Sequence, residues 1–283
     1  MMRVTAQAKI NLRLVVLAQE TSGFHQIETI YCRVGLADEL VIEQTTGPGL
    51  ELTVHGADLG PTENNLVMRA ARAWFEAADI EPSHAIALHK RIPAGAGLGG
   101  GSSDAAATLR ALEEMHDHRL GGARLLEIAA SLGSDVPFFM ADVPLALAWG
   151  RGERMLTHEG PGPAPAVIVM PPASVSTAQA YASLGGRVGV AGPAIIDAAS
   201  LGSWDALDDV ACNDFERVVL PEIPALTPVL ALLRSHGARI AQLTGSGSAV
   251  FGIFDLPDAA EAAAQELRAA QADLQVFRTH AAV

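Results

Sequence analysis

Residues Pro93 to Asp104 constrain this chain more than any other stretch, reading Pro-Ala-Gly-Ala-Gly-Leu-Gly-Gly-Gly-Ser-Ser-Asp. Gly95, Gly97, Gly99, Gly100 and Gly101 remove the Cβ atoms that stop a backbone from wrapping closely around a ligand, at a cost in conformational entropy. The residues before them, Ala85 to Ile92, alternate as a strand does. Those from Ser102 onward read as a helix opened by Ser and Asp, running from Ser103 to about His116. A glycine-rich turn feeding a helix N-terminus gathers unpaired N–H groups and the positive end of the helix dipole at one point, which suits a phosphate.

Three rivals meet this reading. Gly95, Gly97 and Gly100 satisfy G-x-G-x-x-G, a weak signal for a dinucleotide-binding turn. That turn fits poorly: the loop lies a third of the way along the chain, His89-Lys90-Arg91 is not a buried parallel strand, and the position about twenty residues on falls in a polar connection. A P-loop is excluded because no G-x-x-x-x-G-K-[ST] occurs. A flexible surface loop would carry polar residues where Leu98 stands.

Composition bounds the partners. At 283 residues the chain is long enough for one large or two ordinary domains. A net charge of -13 argues against nucleic acid or anionic membrane as partners, while a local field can still hold an anionic nucleotide. Cys32 and Cys212 form no C-x-x-C, so two free thiols in a reducing compartment are expected. Arg3, Lys9 and Arg13 interrupt any apolar core of a signal peptide, and the longest apolar runs are too short or too broken to span a bilayer. The expectation is a soluble cytoplasmic protein.

The first 60 residues alternate as strands at Lys9 to Leu17, Gln26 to Val34, Glu39 to Glu43 and Leu50 to Val54. Helical spacing follows at Asn65 to Ala78 and, beyond the glycine stretch, at about Gly122 to Leu132. Ala146 to Trp149 and Glu153 to Thr157 pair around Gly150-Arg151-Gly152. The Pro- and Gly-dense stretch Glu159 to Pro165 places a boundary between domains 1–160 and 161–283. Beyond it come a strand at Val167 to Met170 and helices at roughly Thr177 to Leu184, Asn213 to Leu220 and Leu226 to His236. Strands at Arg239 to Thr244 and Ala249 to Phe254, a helix at Ala259 to Ala270 and a strand at Leu274 to Arg278 complete a split β-α-β-like pattern.

The glycine stretch resembles the second motif of the GHMP kinases, a family of small-molecule kinases. Ala8-Lys9-Ile10-Asn11-Leu12 and Leu243-Thr244-Gly245-Ser246-Gly247-Ser248-Ala249-Val250-Phe251 match two further motifs in the right order. The first motif, Gly23-Phe24-His25 and Gly133-Ser134-Asp135-Val136-Pro137-Phe138-Phe139 are similar to the 4-diphosphocytidyl-2-C-methyl-D-erythritol kinase branch. The Gly-Glu-His ending of the galactokinase and mevalonate kinase versions is missing. The resemblance implies an α+β fold of two domains, an N-terminal ribosomal-protein-S5-like β/α domain and a C-terminal ferredoxin-like split β-α-β domain, with ATP and acceptor held in the cleft between them.

Phosphoryl transfer asks for positioning, charge stabilisation and a proton acceptor. Locally, Asp135 reads as an N-cap before a short helix; the resemblance makes it the catalytic base. Lys9 lies in an apolar strand pattern and is either a snorkelling edge lysine or, by resemblance, the catalytic cation. The resemblance also implies that Pro93, Ala94, Gly95, Ala96, Gly97, Leu98, Gly99, Gly100, Gly101, Ser102 and Ser103 wrap the triphosphate of ATP. Ser102 or Ser103 would stand beside a Mg²⁺ that ATP carries, and no separate metal site is expected. Their local reading is helix capping. Asn65, with Asn64, matches the family's Asn beside the base, or caps a helix. Lys90 faces a phosphate or is an exposed strand charge.

For a cytidine-diphosphate-linked methylerythritol acceptor, the resemblance implies Asn11, Phe24, His25, Tyr181, Thr244, Gly245 and Ser246 as binding residues. One departure bears on this pocket. The family usually has Asp just before that glycine, where this chain reads Gln19-Glu20-Thr21-Ser22. His116 and His118, two apart on a helix, diverge and read as solvated. Asn213-Asp214-Phe215-Glu216 resembles a family element or is a helix cap. The competing functions are another GHMP kinase with a different small alcohol, a nucleotide-binding protein without turnover, and, more distantly, a dinucleotide-dependent oxidoreductase.

Overall fold

The computed structural model describes residues 1–21, 23–173, 175–185 and 196–283. The chain divides into two compact units, one made of Met1–Ala8, Ala37–Ala94 and Gly99–Asp142, the other of Lys9–Leu36, Gly95–Leu98 and Val143–Val283. Two long strands, β1 (Met2–Gln19) and β2 (His25–Gln44), contribute residues to both.

In the first unit β3 (Gly49–His55) runs parallel to β4 (Ser83–His89), with Gly49 opposite Ser83 and His55 opposite His89. Parallel neighbours need a crossover, and α1 (Leu66–Ala78) supplies it. Asn65 opens α1 by accepting the Val67 N–H at 2.9 Å, and the helix buries Val67, Ala70, Ala71, Trp74 and Ala78, a stripe at helical spacing. Strand β4 also pairs antiparallel with the end of β2, Glu39 opposite His89, and alternates buried and half-buried residues. Against α1 lies α2 (Gly100–Met115), followed by α3 (Gly122–Leu132) and the short α4 (Val136–Met140). The Trp74 indole donates to Glu113 Oε2 at 3.0 Å, and Glu113 Oε1 accepts the Gly121 N–H at 2.7 Å, so one buried carboxylate ties α1 and α2 to the turn before α3.

In the second unit the start of β2 pairs antiparallel with β5 (Leu145–Gly150), and β5 with β6 (Arg154–His158), as the Gly-Arg-Gly turn predicts. Farther on, β7 (Ala164–Met170), β9 (Ile240–Leu243), β10 (Val250–Ile253) and β11 (Gln275–Ala281) form antiparallel pairs in the order β11-β7-β10-β9. Helix α8 (Leu226–Ser235) precedes β9, and α9 (Pro257–Ala270) joins β10 to β11. That order is the split β-α-β arrangement the sequence pattern predicts. Ala260, Ala263, Ala264 and Leu267 of α9 meet Leu226, Leu230 and Leu233 of α8 and Val167 and Val169 of β7 in a continuous core. Shorter elements complete the unit: α5 (Thr177–Leu184), α6 (Trp204–Val210), the two-residue β8 (Cys212–Asn213) parallel to β1, and α7 (Glu216–Glu222). Among the described residues no single helix is long and apolar enough to cross a membrane.

Several boundaries differ from the sequence pattern: β1, for one, begins at Met2 rather than Lys9, and α7 at Glu216 rather than Asn213. β2 is one strand of 20 residues rather than two. Gly35 keeps it running where a Cβ would stand 3.0 Å from Thr279 Oγ1, so the glycine marks a close approach and not a turn. β4 ends at His89 instead of Ile92 because the Arg91 and Ile92 N–H groups donate to the Asp38 carboxylate. α2 begins at Gly100, three residues early.

Candidate active site

Gly95, Gly97 and Gly99 hold φ angles of 68°, 80° and 71°, a region that L-residues with a Cβ rarely enter. Ala96 and Leu98, alternating with them, are each 1% exposed. The loop is therefore anchored by its apolar residues and free of side chains at its glycines, unlike a flexible surface loop. Gly99 takes the N-cap position of α2 and has no side chain to offer the first amides of the helix. Ser102 and Ser103, expected to cap, lie inside the first turn instead, Ser102 half-buried and Ser103 buried. What remains at the helix start is a set of backbone donors on a positive dipole end, suited to an anion.

Alternation along β1 sends Lys9, Asn11 and Arg13 to one face, and all three are buried. The Lys9 ammonium donates to Asn11 Oδ1 at 2.7 Å and to the Gly97 carbonyl at 3.0 Å, while the Lys9 N–H reaches the Leu98 carbonyl at 2.9 Å. Lys9 Nζ also stands 5.5 Å from the Tyr31 ring centroid. Asn11 in turn donates through Nδ2 to Thr29 Oγ1 at 2.7 Å. The first motif is thus fastened to the glycine loop by side chain and main chain together, and Lys9 is not a snorkelling edge residue.

The third motif meets the same loop. A Cβ on Gly97 would lie 2.2 Å from the Thr244 carbonyl oxygen, and one on Gly245 would lie 2.9 Å from Gly97 Cα. The Ala249 N–H donates to the Ala96 carbonyl at 3.2 Å. Thr244 is fully buried; its hydroxyl accepts the Asn11 N–H at 3.1 Å and donates to the Gly97 carbonyl at 3.3 Å. Ser246 Oγ pairs with Thr177 Oγ1 at 2.9 Å. The Asn213–Glu216 element is the scaffold of this turn rather than a simple cap. Asn213 Nδ2 donates to the Leu243 and Gly245 carbonyls at 2.8 and 2.9 Å, and Glu216 Oε1 accepts the Leu243 N–H at 2.8 Å. Burial raises the Glu216 carboxyl, with the Leu243 N–H and Arg234 opposing.

Around the Gly23-Phe24-His25 turn, the Glu20 N–H donates to the Phe24 carbonyl at 2.7 Å. Phe24 is 57% exposed, so core packing does not hold its ring. The Arg151 guanidinium lies 4.1 Å from the ring centroid and pairs with Glu20 at 2.6 Å. His25 stacks on Tyr181 at 4.5 Å and 25°, and Tyr181 meets Phe215 edge-on at 4.8 Å. Arg151 thus joins the Phe24 ring to Glu20 beside this turn.

In the first unit, Asp135 takes the N-cap position of α4, as its local reading expects, but its side chain makes no capping hydrogen bond. Asn65 does cap α1. Lys90 is neither exposed nor a lone cation: its side chain is 4% exposed and pairs with Asp38 at 2.5 Å and Asp104 at 2.8 Å. His116 is a further correction. It is packed rather than solvated, with ring centroids 4.8 Å from Trp74 and 5.3 Å from His84. Among the described residues no group of three His, Cys, Asp or Glu side chains stands together as a metal site.

Known proteins match this chain along nearly its whole length. The GHMP kinases N terminal domain matches residues 65–144, and the GHMP kinases C terminal domain matches residues 195–273. The 4-diphosphocytidyl-2-C-methyl-D-erythritol kinase of Citrifermentans bemidjiense is 38% identical over 95% of each chain, and that of Salinibacter ruber is 39% identical over 93% of each. A crystal structure of 4-(cytidine 5'-diphospho)-2C-methyl-D-erythritol kinase superposes with a TM-score of 0.84 at 35% identity, covering 99% of both chains. With both domains matched in order and relatives this similar over nearly its full length, the chain belongs to the GHMP kinases, in their 4-diphosphocytidyl-2-C-methyl-D-erythritol kinase branch.

Proposed function

We propose that this chain transfers the γ-phosphoryl group of ATP to the 2-hydroxyl of 4-diphosphocytidyl-2-C-methyl-D-erythritol, a step of the non-mevalonate isoprenoid pathway. The names of its relatives support the acceptor. The observation that carries the chemistry is the 3.0 Å bond from the Lys9 ammonium to the Gly97 carbonyl, which sets a buried cation on the glycine loop.

The residues fit a triphosphate: a Cβ built on Gly95 would meet nothing within 4 Å, so the loop backbone is open there, and the first amides of α2 have no N-cap side chain. Pro93 to Ser103 would hold the phosphates and Asn65 would lie by the base. The Ser102 hydroxyl, more accessible than that of Ser103, would face Mg²⁺, which when bound neutralises charge on the transferring group. Asp135 accepts the proton of the acceptor hydroxyl, and Lys9 holds that oxygen and the incoming phosphoryl group in line. Phe24, His25 and Tyr181 hold the cytosine, with Asn11, Thr244, Gly245 and Ser246 shaping the floor of the pocket.

The 160/161 division between the family's two domains belongs to the same reading, as does a cytoplasmic location, supported by two free cysteines. A net charge of -13 favours a small-molecule partner over nucleic acid or membrane. A panel of cytidine-bearing and plain alcohol acceptors tests the proposal. Phosphorylation confined to the cytidine-bearing compound supports it, and preference for a plain alcohol makes the chain a GHMP kinase of another specificity.

A further inference from the structure

The chain reaches the glycine loop through Lys90-Arg91-Ile92 and leaves it through α2, and both flanks are fastened to one buried cluster. Asp38, in the second half of the long strand β2, is 1% exposed. Its Oδ1 accepts the N–H groups of Arg91 at 2.5 Å and Ile92 at 2.9 Å, and its Oδ2 accepts from the Lys90 ammonium at 2.5 Å. Lys90 donates a second bond to Asp104 Oδ2 at 2.8 Å, in the second turn of α2. Asp104 is 2% exposed, and its other oxygen is buried without a hydrogen-bond partner. Nζ of Lys90 lies 3.2 Å from where a Cβ on Gly100 would stand, so the first residue of α2 makes room for the ammonium.

Such a cluster is an inefficient way to gain stability, because three charges leave water for interactions that offset desolvation only with good geometry. Its geometry is good, and it joins the segment before the loop to the helix after it. Two of the three ammonium protons are already given to carboxylates, so Lys90 is poorly placed to act as a spare cation. Burial pushes the Asp104 carboxyl up to about 7, Lys90 opposing and Asp38 reinforcing. Against the burial that lowers it, Asp104 and Asp38 raise the Lys90 pKa.

We propose that Asp38, Lys90 and Asp104 are a positioning triad that fixes the two flanks of the glycine loop and thereby sets affinity for the triphosphate, with Lys90 acting through the loop and not by touching phosphate. The inference rests on the reading of the loop as the ATP cradle.

Binding of Mg·ATP by calorimetry, alongside KM values for ATP and for the cytidine-bearing acceptor, tests it with Asp38→Asn, Lys90→Met and the near-isosteric Asp104→Asn. A positioning triad predicts that Asp38→Asn and Lys90→Met both weaken ATP by about tenfold or more, that Asp104→Asn weakens it less, and that the acceptor KM stays within about twofold. A general loss of folding would instead lower the active fraction and leave both KM values alone. Direct contact with phosphate predicts the opposite sign at one position: Asp38→Asn frees the ammonium and tightens ATP, while Lys90→Met weakens it. That pattern, or unchanged ATP affinity in all three variants, overturns the proposal. Should Asp38→Asn or Lys90→Met not fold, Asp104→Asn decides by the same ATP readout. A wild-type chain that binds Mg·ATP but phosphorylates no cytidine-bearing acceptor defeats the proposed function alone, since nucleotide binding still reports on the triad.

Discussion

Gly97 and Thr244 meet backbone to backbone: a Cβ on the glycine would stand 2.2 Å from the threonine carbonyl oxygen. Gly97→Ala therefore faces both a clash that main chain must absorb and a φ of 80°. Gly95, at a φ of 68°, has nothing within 4 Å of its would-be Cβ, so Gly95→Ala meets only the conformational penalty, about 1 to 2 kcal/mol. We expect Gly97→Ala to lower kcat/KM for ATP by roughly 10²-fold and Gly95→Ala to act much more weakly. Equal effects in steady-state kinetics would contradict the close approach as the reason for the glycine.

Asp135→Asn removes the proposed proton acceptor and should reduce kcat by roughly 10²-fold or more, with ATP affinity nearly unchanged. Lys9→Met, which takes away a cation bonded to Asn11 and Gly97, should lower kcat and also disturb the loop, raising the ATP KM. Single-turnover rates together with nucleotide titrations separate the two effects. Turnover of Asp135→Asn near the wild-type rate would take that residue out of the mechanism.

Much of this arrangement is legible in the residue order. Glycines at 95, 97 and 99 and the helix pattern after them are enough to anticipate a tight loop feeding a helix, since each feature is local. The succession of strands and helices from β9 to β11 also follows from alternation and helical spacing. Relationships across long separations are not legible in this way. Lys90 finds Asp38 from 52 positions away, and Asn213 reaches the Leu243 carbonyl from 30. His116 reads as solvated because local spacing does not reveal that α1 and β4 bring Trp74 and His84 against it. The two stretches Gln26 to Val34 and Glu39 to Glu43 read as separate strands because local alternation does not reveal that they continue through Gly35.

Arg151, paired with Glu20, lies over the Phe24 ring, which leads to a graded effect on the acceptor. Phe24→Ala removes the proposed stacking face for cytosine, worth about 1 to 3 kcal/mol, roughly a 5- to 150-fold rise in acceptor KM. Arg151→Ala keeps the ring but frees it, and should raise the same KM by about two- to fivefold. Neither should move the ATP KM. An Arg151→Ala enzyme with an unaltered acceptor KM would show that the cation does not orient the ring.

Stability should carry two opposing pH dependences. Asp104, pushed up to about 7 by burial against Lys90, binds a proton in the folded chain that the unfolded chain has released. Its contribution is complete below about pH 4 and disappears as pH rises through about 7. Burial and the nearby His116 lower the His84 pKa, so its contribution is complete above about pH 6.5 and is lost as pH falls through the lower, folded value. Urea midpoints measured between about pH 5 and pH 8 should therefore fall less with rising pH in Asp104→Asn, and fall less with acidification in His84→Phe. Variants that keep the wild-type profile would count against these assignments.

The most direct measurement follows phosphorus by NMR while the chain is incubated with Mg·ATP and 4-diphosphocytidyl-2-C-methyl-D-erythritol. We predict ADP and a new phosphomonoester on the acceptor's 2-hydroxyl in equal amounts, both absent without acceptor. ATP that stays intact, or is hydrolysed to free phosphate at a rate indifferent to the acceptor, would contradict the account.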